Sequence, residues 1–281
     1  MRKILIPTDF SENSMNATRY ALELFKYDKS EIFIVHAYAD EVYEDKAIKA
    51  RARFEEIKKE KKQQTEHSFE TFLAKIKEFA PNPKHQIIPK AVFGSLVDVV
   101  NDLVEAENMD IVAMGTQGAS NSKEVTFGSQ TLQVIRYVKS PVLAVPCCFT
   151  EIDLKSLVLA TDYQVPYQKR ELKLLSCLAK NFAAKLTLLY VSKFEKLSIR
   201  QEDHKAFLEN SLEPCRYESI HVSGENISET IHEFINTNQV DMLVMVNSRH
   251  SYLENLLQTS KIETFGLGTQ IPFLVLQNLS R

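Results

Sequence analysis

The sequence has no tryptophan, four cysteines and seven glycines in 281 residues, and each scarcity removes a class of protein. Cys147 and Cys148 are adjacent while Cys177 and Cys215 stand alone. No C-x-x-C pair is present for a zinc site or a dithiol redox centre, and buried, reduced thiols are the expectation. His36, His67, His85, His204, His221, His232 and His250 are scattered without the spacing of metal ligands. No apolar run approaches the roughly 20 residues of a membrane span. The opening Ile4-Leu5-Ile6 is too short for a signal-peptide core and reads as a first strand. Charge of one sign is also missing: 34 basic against 37 acidic residues leave a net −3, so no positive field draws the chain to nucleic acid or to an anionic membrane. Neither is expected as a partner, and a cytoplasmic location is.

What is present is the balance of a folded protein, with 44% hydrophobic and 25% charged residues. At about 100–150 residues per domain the length predicts two, and an internal repeat supplies them. Lys3-Ile4-Leu5-Ile6-Pro7-Thr8-Asp9-Phe10 returns as Ser156-Leu157-Val158-Leu159-Ala160-Thr161-Asp162-Tyr163. Val92-Phe93-Gly94-Ser95 returns as Val222-Ser223-Gly224-Glu225, and Asp110-Ile111-Val112-Ala113-Met114 as Asp241-Met242-Leu243-Val244-Met245. Ser140-Pro141-Val142-Leu143-Ala144-Val145 returns as Ile271-Pro272-Phe273-Leu274-Val275-Leu276. Four matches in one order define two halves, 1–148 and 152–281.

Within each half, short runs of Ile, Val and Leu alternate with longer amphipathic stretches, the pattern of parallel strands joined by crossover helices. The runs predict strands at 2–7, 31–37, 85–91, 110–114 and 142–146, then 155–160, 185–191, 217–222, 241–246 and 272–277. The fold class is therefore α/β: two tandem, doubly wound domains, each with a five-stranded parallel sheet. Ligands of such sheets bind beyond the carboxyl ends of the strands, where the strand order reverses. Ser11, Asn13 and Ser14 offer caps for a helix from about Ser14 to Phe25. The mixed charges within 46–62 predict the solvated face of a long helix.

Three of the seven glycines fall between Gly115 and Gly128. Glycine in such number fits where the backbone takes positive φ or a ligand approaches closely. Amides turned inward by this loop, with the free N–H groups of a helix starting near Ser129, would form an anion nest for a phosphate chain. Ser129 and Thr131 add hydroxyls, and either could reach a bound magnesium ion.

The spacing Gly115, two residues, Gly118, nine residues, Gly128-Ser129 resembles the ATP-binding motif of the universal stress protein family. Pro7-Thr8-Asp9-Phe10-Ser11 resembles the end of that family's first strand, and the strand order matches in both halves. The resemblance covers almost the whole chain and implies a Rossmann-like fold of the adenine nucleotide alpha hydrolase-like type. It implies ATP, with or without magnesium, in the first half of a stress-response protein. Pro7, Thr8 and Asp9 match positions that contact adenine and ribose, and Ala37 matches a residue whose backbone reads the adenine edge. Met114, Gly115, Gln117, Gly118, Gly128, Ser129, Gln130 and Thr131 match those around ribose and phosphates. In the family the fifth-strand edges pair subunits, which implies that the two halves pair within this chain; a dimer of whole chains is the alternative.

The second half departs from the motif. Val246 stands for Gly115, Arg249 for Gly118 and Thr259 for Gly128, with Ser260 and Asp162 kept. Bulky, β-branched residues are poorly suited to positive φ, so no triphosphate is expected there. Gly266-Leu267-Gly268 precedes a strand instead of opening a helix and is no dinucleotide fingerprint. No P-loop sequence occurs, and no spacing ties a nucleophile to a base and an orienting group. A binding protein is expected; a slow ATPase or phosphotransferase, and a nucleotide-free scaffold, are the alternatives.

Overall fold

The computed structural model describes residues 1–45, 51–116, 127–147, 152–213, 215–248, 251–254 and 270–278. The first half runs β1 (Arg2–Pro7), α1 (Glu12–Leu24), β2 (Ser30–Ala37), α2 (Ala39–Tyr43), α3 (Arg51–Phe79), β3 (His85–Val92), α4 (Leu96–Glu107), β4 (Ile111–Gly115), α5 (Ser129–Tyr137) and β5 (Val142–Val145). The second runs β6 (Ser156–Ala160), α6 (Lys169–Asn181), β7 (Lys185–Val191), α7 (Ile199–Leu212), β8 (Tyr217–Val222), α8 (Ile227–Asn238), β9 (Met242–Asn247) and β10 (Phe273–Gln277).

All ten strands join one sheet in the order β3-β2-β1-β4-β5-β10-β9-β6-β7-β8. Pairing is parallel within each half. At the seam β10 lies antiparallel to β5, with Leu274 opposite Leu143 and Val275 opposite Val142. Strand order reverses between β1 and β4, and again between β6 and β9, which opens a crevice beyond the carboxyl ends of each pair.

Both faces of the sheet are covered, which is why its inner strands read as apolar runs, while the edge strands β3 and β8 carry polar residues. One core layer joins Ile4, Ile6, Ile111, Leu159 and Leu274 to α1, α3, α6 and α7; the other joins Leu5, Val112, Val158 and Val275 to α4, α5 and α8. Both layers cross the seam. The repeated Asp110 and Asp241 are structural: Asp110 Oδ2 accepts the Lys3 amide at 2.9 Å, and Asp241 Oδ2 accepts the Ser156 amide at 2.7 Å. The repeated Gly94 has a packing reason, since a Cβ there would lie 2.7 Å from Val99 Cγ2 on α4.

Three expectations change. Helix α1 starts at Glu12 instead of Ser14 because Ser11 is the cap, its hydroxyl accepting the Ser14 amide at 3.2 Å. Helix α3 is charged but not merely solvated: Phe69, Phe72 and Ile76 are buried against the core, and Ile57 is buried under Tyr38 and Val42. The thiols are not all buried, since Cys147 is exposed and Cys177 and Cys215 are half-buried; Cys148 lies outside the described residues, as does nearly all of the expected junction at 148–152. Among the described residues no helix is long and apolar enough to cross a membrane.

Candidate functional site

At the carboxyl end of β1 the chain turns sharply to enter α1. Thr8 is buried, and its Oγ1 accepts the Phe10 amide at 2.9 Å and lies 2.9 Å from Ser14 Oγ. Phe10 takes φ 61, a left-handed conformation that is costly for a bulky residue. Its ring is held by Phe69 and Phe72 of α3, with centroids 5.0 and 5.7 Å away. The turn leaves Asp9 exposed, with one carboxylate oxygen taking the Ser11 amide at 3.1 Å. His36 is buried and committed: Nδ1 lies 2.7 Å from the Thr8 carbonyl oxygen and Nε2 lies 2.7 Å from Glu41 Oε1. It packs the strand end and is not placed as a base.

Ala37 closes β2 beside this turn. The Thr8 amide donates to the Val35 carbonyl and the Tyr38 amide to the Val92 carbonyl. Ala37, between the two, therefore turns its own N–H and C=O toward the β1 side, beyond Pro7, the last β1 residue paired with β2. Across the crevice, Met114 is buried and Gly115 ends β4 half-buried. Gly128 is the N-cap of α5 and offers no side-chain cap to the amides that follow; Ser129 and Gln130 are exposed. A helix start of this kind presents free N–H groups and the positive end of the dipole. Thr131 is buried, and its hydroxyl donates to the Gly115 carbonyl at 3.0 Å, which ties α5 to the end of β4.

Pro7, Thr8, Asp9, Ala37, Met114, Gly115, Gly128, Ser129, Gln130 and Thr131 thus stand at the β1, β2 and β4 ends and the start of α5. Gln117 and Gly118 lie outside the described residues. The positive-φ reason for the glycines does not hold where it is visible. Gly128 has φ −63, and Gly115 is the last residue of a strand. For the same cause, Val246 in the second half is no backbone misfit: it sits within β9 and is buried.

The second crevice repeats the turn but is covered. Tyr163 also takes a left-handed φ, 54, and its amide donates to Thr161 Oγ1 at 3.0 Å. Asp162, the counterpart of exposed Asp9, is only 6% exposed, and burial pushes its carboxyl above the ordinary range. From α7, Gln201 Nε2 donates to the Asp162 carbonyl at 2.8 Å and His204 Nδ1 lies 2.9 Å from the Tyr163 carbonyl oxygen. Tyr252, after β9, reaches the end of β7, a contact with no forewarning in the degenerate motif except a large aromatic where a phosphate loop would run. A cleft of about 930 Å³ lies elsewhere, between the amino ends of the first half's strands and α6, with Arg2, Asp110, Lys139, Arg170 and Glu171 on its walls.

The fold and the crevice define a class: a doubly wound α/β protein in tandem, with a helix start facing two strand ends at a switch point. A profile of the universal stress protein family matches residues 1–146, and the chain belongs to that family. It is similar to the universal stress protein MJ0577 of Methanocaldococcus jannaschii, 28% identical over 157 residues that cover 51% of this chain and 94% of that protein. It is also similar to MJ0531 of the same organism, 26% identical over 144 residues, covering 51% and 81%. The fold of the whole chain is that of a universal stress protein crystal structure from Archaeoglobus fulgidus, with a TM-score of 0.70 at 19% identity, covering 98% of this chain and 96% of that one.

Proposed function

We propose that the chain binds one adenine nucleotide, ATP with magnesium, in the crevice of its first half. We read it as a nucleotide-dependent stress-response component whose second half is a built-in partner paired through β5 and β10. The observation that carries this reading is the convergence of three unlike groups on one crevice. The backbone N–H and C=O of Ala37 complement the edge of a purine, exposed Asp9 suits ribose hydroxyls, and the uncapped start of α5 suits phosphates. In this reading Gly115 and Gly128 let the phosphates come close, and the exposed Ser129 supplies a hydroxyl to the magnesium ion. Thr131 serves differently: its one proton is committed to the Gly115 carbonyl, so it fixes the helix start instead of meeting the ligand. Among the described residues His36 is held between Thr8 and Glu41 and is not free to act as a base, and we read the site as one for binding without rapid turnover.

Calorimetric titration of ATP with magnesium tests the reading on the wild type and on Gly118→Arg, which copies the second half's residue into the first. The wild type is expected to bind about one nucleotide per chain and the variant at least tenfold more weakly, a loss of about 1.4 kcal/mol or more. A wild type that binds none overturns the reading and leaves a scaffold; equal binding by the variant overturns the place of the phosphates.

A further inference from the structure

In the second half, the residue that corresponds to Ala37 is Val191. The Thr161 amide donates to the Leu189 carbonyl and the Ser192 amide to the Val222 carbonyl. Val191 between them therefore turns its N–H and C=O toward the β6 side, beyond Ala160, the last β6 residue paired with β7. That donor and acceptor pair is taken. The Tyr252 hydroxyl accepts the Val191 amide at 3.2 Å and donates to the Val191 carbonyl. Among the described residues no side chain does this at Ala37.

The ring that delivers the hydroxyl is itself enclosed. Tyr252 is 6% exposed and Val191 2%. Leu253 and Ser251 beside it are buried, and the Ser251 hydroxyl accepts the Ser248 and Glu254 amides at 3.3 and 3.2 Å, which fixes the turn that aims the ring. Burial first, and then the charge of nearby Asp162, push the Tyr252 phenol pKa up. Asp162, two residues beyond the end of β6, is thus close enough for its charge to act on the phenol. An enclosed slot for a flat six-membered ring, with one donor and one acceptor on a single backbone residue at its end, is the recognition chemistry of an aminated nucleobase.

We propose that the second crevice is a nucleobase site whose occupant is the chain's own Tyr252, and that removing this ring opens a place for a ligand carrying adenine's amine and ring-nitrogen edge. It rests on the nucleotide reading only in taking the same strand end as the base-facing one. The two halves then share one binding chemistry and differ in what fills it.

The test uses the full chain labelled with 15N, with the Val191 amide as reporter. The probe is 4-aminopyrimidine, which carries adenine's amine and ring nitrogen on a single ring of the size Tyr252 vacates. In the wild type the Val191 resonance is expected to ignore the probe. In Tyr252→Ala it is expected to move saturably, with at least fivefold weaker binding of pyrimidine, which lacks the amine. In Tyr252→Phe the crevice stays shut, but the Val191 amide exchanges with solvent at least tenfold faster. A Val191 response in the wild type overturns the proposal, as does a folded Tyr252→Ala that ignores the probe or binds both rings alike. If Tyr252→Ala is unfolded, the probe must refold it, and failure to do so also overturns the proposal. The Ala37 amide, titrated with ATP, reports separately on the first half; its silence would sink the nucleotide reading and leave this one standing.

Discussion

Glu171 lies in the first turn of α6, only 6% exposed, on the wall of the cleft between the halves. Burial pushes its carboxyl from the ordinary 4.5 up to about 8, and the neighbouring charge of Arg170 opposes this only partly. The folded chain therefore keeps a proton here that the unfolded chain has released. Between about pH 4.5 and 8 the native state binds more protons than the unfolded one, so this group makes stability fall as pH rises through that window. Glu171→Gln is expected to remove that fall. Urea melts at pH 5.5 and pH 9 should show the variant gaining roughly 1–2 kcal/mol on the wild type at the higher pH, less than the full shift implies because the cleft admits water. A wild type and variant with parallel pH profiles would mean that Glu171 ionises freely.

Helix α5 connects two jobs. Its start faces the proposed phosphate position, while the carbonyl of Ile135 near its other end accepts Gln277 Nε2 at 2.8 Å and Asn247 Nδ2 at 3.1 Å, from the ends of β10 and β9. Asn247 Nδ2 also donates to Gln277 Oε1 at 2.9 Å, and both side chains are buried. Gln277→Leu leaves Asn247 short of one acceptor and is expected to cost about 1–3 kcal/mol of stability. A denaturation midpoint unchanged from wild type would show water replacing the lost partner. None of this network was legible in the sequence, because the two side chains reach a backbone carbonyl more than a hundred residues away only across the seam. The strands themselves were: each observed strand end lies within one residue of the expected one, since strands covered on both faces are rich in Ile, Val and Leu. The buried face of α3 was hidden for the opposite reason, its Ile57, Phe69, Phe72 and Ile76 being dispersed among lysines and glutamates. The candidate site was legible at its glycines and at Thr8-Asp9, where chemistry needs particular residue types. Ala37 was legible only through the family resemblance and Val191 not at all, because their part is played by the backbone.

Across the whole molecule, the antiparallel seam sets the two halves head to tail, so the strand ends that carry the open crevice and those that carry the closed one lie on opposite rims of the sheet. Both core layers pass through the seam without a break. Cutting the chain within 148–151 is therefore expected to leave the halves associated, eluting together on size exclusion in dilute buffer. Separation into two species would mean that the covalent link, and not the shared core, keeps them paired. The seam has a further consequence for how such a protein changes over generations. In a pair of identical subunits every substitution is inherited by both sites at once, so a tyrosine that silences one silences the other. Fusing the two copies into one chain frees each to drift alone, and a pocket can be lost on one rim while selection still guards its twin.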